Sequence, residues 1–204
     1  MPCGAVDSTG VKVEGEGEWH ARKHGGPNRQ AWRKIHLGID EETLAIRAVE
    51  VTANHIGDAP LLPDLLSQIP AGEGIGSVTA GGAYDTRKCH DAIANRSAHA
   101  VIQPRKNAKP WKTGTAGAVA RNEALRAVKY LGRAIWRNWS GYHRRSRAET
   151  NRHCMKLLGQ RLMARDFGRQ VAEVQIRIVV MNGYTALAQT DDEEYETRTR
   201  LLAL

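Results

Sequence analysis

Two apolar-rich runs, Ile35 to Ile39 and Leu44 to Val51, flank the polar tetrapeptide Asp40-Glu-Glu-Thr43, and that arrangement predicts a β-hairpin. A coarse pass along the rest of the chain gives the order β-β-β-α-β-α-β-α-α. Gly57-Asp58 opens a helix running to Ile69, with Asp58 at its cap and Pro60 and Pro63 tolerated in its first turn. Leu61, Leu62, Leu65, Leu66 and Ile69 supply the apolar face of that helix. A strand beginning near Ser77, a helix from Thr86 to Arg96 and a strand from His99 to Gln103 follow. Beyond a loop at Lys106 to Gly117, helices are expected over Ala118 to Trp139 and about Ser146 to Met163. Phe167 to Ala188 has the apolar density of a buried helix. This order predicts a mixed α/β domain, and 204 residues suffice for one substantial core.

The segment richest in chemistry is Tyr142-His-Arg-Arg145-Ser-Arg-Ala-Glu149-Thr-Asn-Arg-His-Cys-Met-Lys156, which reads Y-x2-R-x3-E-x6-K. On one continuous helix at about 100° per residue, its four spaced residues fall within an arc of roughly 60°. One carboxylate, two cations and a phenol would then face one cleft, a combination suited to phosphodiester chemistry. A simpler alternative is a capping box. There Ser146 is the N-cap, Glu149 satisfies backbone donors, and Tyr142 and Arg145 precede the helix.

Charge is concentrated around this segment. Residues 121–169 hold 13 Lys/Arg against 3 Asp/Glu, whereas the whole chain is +8. Any one arginine can be a solvated helix face, but the excess points to a polyanion. Arg133, Arg137, Arg144, Arg145, Arg147, Arg152, Arg161 and Arg165 could line a phosphate-binding groove. Other sites are poorly supported. His20 and His24 have a zinc-compatible spacing but stand among Gly15, Gly17, Gly25 and Gly26, so a loop is expected. Cys3, Cys89 and Cys154 form no C-x-x-C and read as reduced thiols. Gly72-Glu-Gly-Ile-Gly76 lacks the Lys-Ser/Thr of a P-loop, and the five tryptophans read as core or loop anchors. No apolar run approaches 18 residues and no signal peptide is visible, which predicts a cytoplasmic protein without a membrane partner.

Further motifs stand in a telling order: Ala5-Val-Asp7-Ser-Thr-Gly-Val-Lys12, then Gly15-Glu-Gly-Glu-Trp19, Arg22-Lys-His24 and Trp32-Arg-Lys-Ile-His-Leu-Gly-Ile-Asp40. Ser77-Val-Thr-Ala-Gly-Gly-Ala-Tyr84-Asp85 and Ala100-Val-Ile-Gln-Pro-Arg-Lys-Asn107 come next. Together with Y-x2-R-x3-E-x6-K, this set resembles the DDE transposases of bacterial insertion sequences over about residues 5–189. The resemblance implies an α/β ribonuclease-H-like mixed sheet, three antiparallel strands plus two parallel, flanked by helices. It further implies a catalytic domain at residues 1–189 followed by a polar, acidic tail at 190–204. DNA, as transposon ends and target, would be the partner, and Mg²⁺ or Mn²⁺ the cofactor. Asp7 and Glu149 would be the catalytic metal ligands, Arg145 and Lys156 phosphate contacts, and Tyr142 a support for the DNA backbone or for Glu149.

Two departures temper what the resemblance implies. The family's Asp-Gly-Ala-Tyr-Asp block, whose first aspartate completes the acidic triad, has Gly81 at that position. Asp85 is the nearest substitute, although capping the helix after it is the simpler role. Gly81 predicts impaired metal binding and leaves a catalytically inactive DNA-binding remnant or regulator as the alternative function. The chain also begins just before the first strand, so the helical region in front of it in relatives is expected to be truncated or supplied by a companion polypeptide. A homo-oligomer is a further possible partner.

Overall fold

The computed structural model describes residues 3–13 and 31–202. The motifs at Gly15 to His24, including His20 and His24, lie outside the described residues. Strands β1 (Cys3–Val13), β2 (Ala31–Asp40) and β3 (Ile46–Ala53) are antiparallel neighbours. Strands β4 (Ser77–Ala80) and β5 (His99–Ile102) join the other edge of β1 in parallel, giving the order β3-β2-β1-β4-β5. The expected mixed sheet is therefore present, with its antiparallel and parallel halves meeting at β1. The hairpin turn is held by Asp40, whose Oδ1 accepts the N–H groups of Glu42 at 2.8 Å and Thr43 at 3.2 Å.

Helices α1 (Leu62–Ser67) and α2 (Arg87–Asn95) cover one face of the sheet. Helices α3 (Ala116–Leu131) and α4 (Arg133–Trp139) follow β5, and α5 (Ser146–Leu157) and α6 (Phe167–Leu202) cover the opposite face. Strand alternation sorts β1 between two cores. Ala5, Val11 and Val13 pack with Met155 of α5 and Val174 of α6, whereas Val6 packs with Leu62, Leu65 and Ile93. Asp7 shares the alternation of Ala5 and Val11, so β1 presents it on the α5 side.

Several local expectations are corrected. The helix expected from Ala118 to Trp139 is two helices, because Gly132 at φ +81° ends α3 and starts α4. The helix expected to reach Met163 stops at Leu157, and Arg161–Leu162 forms a sixth strand, β6, on Lys12 and Val13. The reason is geometric: β4 covers only Cys3 to Val6 of that edge of β1, so the far end of an eleven-residue strand still needs a partner. Asp58 does not cap the first helix; its carboxylate pairs with Lys34 at 2.6 Å and approaches His36 at 3.5 Å. Helix α6 is not buried all round, since Ile176, Val179, Tyr184 and Leu187 are exposed.

Helices α2 and α3 approach closely at Gly117. A Cβ there would stand 2.5 Å from the His90 carbonyl carbon and 2.6 Å from the Asp91 nitrogen. Gly117→Ala is expected to destabilise the protein by about 1–3 kcal/mol through overpacking, measured by denaturant unfolding. An unchanged midpoint would show that the two helices separate freely.

Candidate active site

The strand order reverses at β1, which has β2 on one side and β4 on the other. Crevices at such switch points are where open α/β sheets bind ligands. Val6 and Ala80 are register partners, so Gly81 follows β4 at the level of Asp7. Glu149 reaches the same crevice from α5. Its helix is prepared by Gly141 at φ +74°, which starts a 3-10 turn at Tyr142–Arg145 that runs directly into α5. Neither sequence reading of this segment holds in full. The capping box is absent, because no side chain caps α5 and the Glu149 carboxylate turns to Arg145 instead. The single α-helix is replaced at its start by a tighter turn. Three steps of about 120° followed by α-helical steps keep the four spaced residues within roughly 40°.

Arg145 joins the pieces. Its NH2 is 3.4 Å from Asp7 Oδ1, and its NH1 is 3.0 Å from Glu149 Oε1. A Cβ on Gly81 would stand 3.6 to 3.7 Å from the same guanidinium. One cation therefore bridges Asp7 and Glu149 and borders the space beside Gly81. Arg152 NH1 adds a second contact, 3.5 Å from Asp7 Oδ2. Two carboxylates thus face two guanidinium groups, and the centre is close to neutral. Burial works against the charge of Arg145, but Asp7, Tyr142 and Glu149 outweigh it and hold its pKa above the ordinary value. Arg145 stays cationic throughout the physiological range.

The remaining sequence candidates share that face without contacting Asp7. Tyr142 packs its ring on Trp136 at a centroid distance of 5.8 Å, with the Arg137 guanidinium 5.7 Å from its centroid. Lys156 is about 10 Å further along the helix than Glu149 and is half-buried. Arg137 donates to Gln103 Oε1, and Arg147 to the Glu41 carbonyl, so part of the arginine excess is committed to the fold.

Asp85 neither caps α2 nor joins the crevice. Thr86 is the cap, accepting the Cys89 N–H. The buried Asp85 carboxylate takes Nε and NH2 of Arg121 at 3.1 and 3.2 Å, His90 Nε2 at 3.3 Å and the Arg105 N–H at 3.1 Å. Desolvation alone would raise its pKa; the hydrogen bonds from His90 and Arg121 overcome it and hold the group far below the ordinary carboxylate range. An acid so fully engaged is a structural knot, not a spare metal ligand.

Glu41 is a residue that sequence reasoning missed as part of the site's surroundings. It is 2% exposed, and Arg147 of α5 donates to its carbonyl. Burial pushes its pKa up, while Thr79, Arg144 and Arg147 pull it back. It sits under the start of α5 and ties that helix to the sheet. In the sequence it is one turn residue among four, and nothing marks it.

The donor set suits one divalent ion better than two. Asp7 Oδ2 is buried without a hydrogen-bond donor, and Glu149 shares a guanidinium with the same aspartate. Gly81, beside them, has no side chain to add to this set. Among the described residues, no three His, Cys, Asp or Glu side chains are gathered for a metal.

The family model for the transposase DDE domain matches residues 1–182, from β1 into the first half of α6. Proteins with this domain generally use divalent metals. The match spans the sheet, the crevice and every residue named in it. With so much of its length accounted for, this chain belongs to the DDE transposase family.

Proposed function

We propose that this chain descends from an enzyme that cuts and transfers DNA strands in the transposition of a bacterial insertion sequence, and that Gly81 impairs that chemistry here. The observation that carries the reading is the single guanidinium of Arg145 bridging Asp7 and Glu149 and bordering the space a side chain at position 81 would enter. Asp7 and Glu149 are the side chains that would hold Mg²⁺ or Mn²⁺. Such ions stabilise the attacking and leaving oxygens in phosphoryl transfer. Arg145 and Arg152 neutralise the acids, and guanidinium groups at that place would also suit a DNA phosphate. Tyr142 supports the turn that aims Arg145, and Lys156 extends the positive face along the DNA backbone.

One observation favours a second reading, a DNA-binding protein without cleavage. Two acids already matched by two guanidiniums attract a divalent cation weakly, whereas the surrounding arginine excess still attracts DNA. Glu149→Gln separates the readings. In a catalyst, metal-dependent nicking of supercoiled plasmid falls to background. In a pure binder there is no nicking to lose, and DNA affinity by fluorescence anisotropy is kept or improved because a negative charge is gone. Efficient nicking by the Glu149→Gln variant would refute the assignment of Glu149.

A further inference from the structure

The glycine-rich stretch from Pro70 to Gly76 matches no phosphate-binding loop; in the fold it roofs a hollow on the face of the sheet away from Asp7. The hollow exists because small residues meet there. Val6, Gly38 and Ala48 are register partners across β1, β2 and β3, so all three positions face α1. Gly38 has no side chain to fill the space, and Ala48 supplies only a methyl group. Leu65 and Leu66 of α1, with Ile69 just beyond it, close the hollow from the other side. The space is about 530 Å³ with its open mouth included, a size found among small-molecule sites.

The roof is fastened at two places. Arg96, just past α2, donates to the carbonyls of Leu66 at 2.7 Å, Ile69 at 2.8 Å, Pro70 at 3.0 Å and Glu73 at 3.2 Å. One guanidinium thus holds the frame of the loop. At the mouth, the Glu73 carboxylate accepts from Arg47 NH2, and the two side chains are 44% and 40% exposed. An ion pair so open to water adds little stability and is readily exchanged. Gly72 and Gly74 flank Glu73, and a Cβ on Gly72 would meet nothing within 4 Å, so this latch can swing outward.

The latch identifies the chemistry of the ligand. It is a carboxylate gripped by a guanidinium at the mouth of an apolar space. A molecule with a small apolar body and its own carboxylate reproduces that contact and fills the hollow at the same time. We propose that this hollow binds a small apolar carboxylate, an aromatic or short-chain acid, with Arg47 holding its head group and Glu73 as the displaceable latch. Fluorine NMR titration of the full chain with 4-fluorobenzoate tests it. Saturable binding is expected with Kd on the order of 1 mM, the range for a ligand of about ten non-hydrogen atoms. Arg47→Gln should weaken it roughly tenfold, and Glu73→Gln, which removes the competing carboxylate, should tighten it several-fold. Ala48→Leu fills the hollow and should abolish binding while the melting temperature holds or rises. Neutral 4-fluorobenzyl alcohol should bind at least about tenfold more weakly than the acid. Absence of saturable binding by both the parent and Glu73→Gln overturns the proposal. So does an affinity indifferent to Arg47→Gln, or one shared equally by the alcohol. Should Ala48→Leu fail to fold, the two exposed variants at the mouth decide the matter alone.

Discussion

Gly81→Asp is expected to raise metal-dependent DNA nicking by roughly 10²-fold or more over the parent chain, since even outer-shell changes at metal sites shift affinity 10–100-fold. The fold can accept the substitution. Gly81 has φ −67° and ψ 165°, which any residue adopts, and its Cβ would meet Arg145 at ordinary van der Waals distance. Replacing glycine in such a conformation stabilises by about 0.4–1 kcal/mol through the unfolded chain. The electrostatic change is larger in consequence. Two acids facing Arg145 and Arg152 become three, and the centre acquires the net negative charge that draws in a divalent cation. Nicking of plasmid with Mg²⁺ or Mn²⁺, together with Mn²⁺ binding by titration, provides the readout. Tight Mn²⁺ binding without nicking would locate the defect outside the triad; no gain in either would remove Gly81 as its cause.

Arg121→Met is expected to lower stability by about 3–5 kcal/mol, the range for breaking a buried ion pair and leaving one charge uncompensated. For a chain of this size that is a fall in melting temperature of about 10 °C or more. Arg121 also stacks on Trp111, 4.2 Å from the ring centroid, and donates to the Lys109 carbonyl, so the loop before α3 loosens as well. The double variant with Asp85→Asn should recover part of the loss, because the orphaned charge is then removed. The pair also has a pH signature. The folded pKa of Asp85 is depressed, so its contribution is fully present above the unfolded value near ~3.9 and is lost as pH falls through the folded value. The parent should therefore lose stability as pH drops below about 4, and Asp85→Asn should flatten that decline. A melting temperature for Arg121→Met within a degree or two of the parent would show that the knot does not hold the fold.

The hairpin, the order of strands and helices as far as β5, and the acid-and-arginine motif were legible because each rests on local rules. Asp40 closes its own turn through backbone bonds two and three residues on. Tyr142 to Lys156 carries its spacing on one helical path, and the change from α to 3-10 at its start barely moves the face. Gly132 was less visible, since a glycine within a helical pattern can either continue or stop it. Asp58 and Asp85 misled for a different reason. Each precedes a helix, as a cap does, but a nearby cation offers a carboxylate more than a backbone N–H, and Lys34 and Arg121 are distant in sequence.

By itself the chain order determined a mixed α/β domain, its motifs pointed to the family whose sheet is flanked by helices, and the residue types determined that acids and arginines would carry any chemistry. Periodicity and turn propensity act over a few residues, so both could be read from the string. Only the tertiary structure decided that one guanidinium would span β1, the end of β4 and α5, that Asp85 would be consumed by a buried arginine, and that α6 would keep an apolar side outward. Those outcomes depend on which surfaces meet across tens to more than a hundred residues of chain. Such contacts follow from the packing of whole elements, which no local pattern encodes.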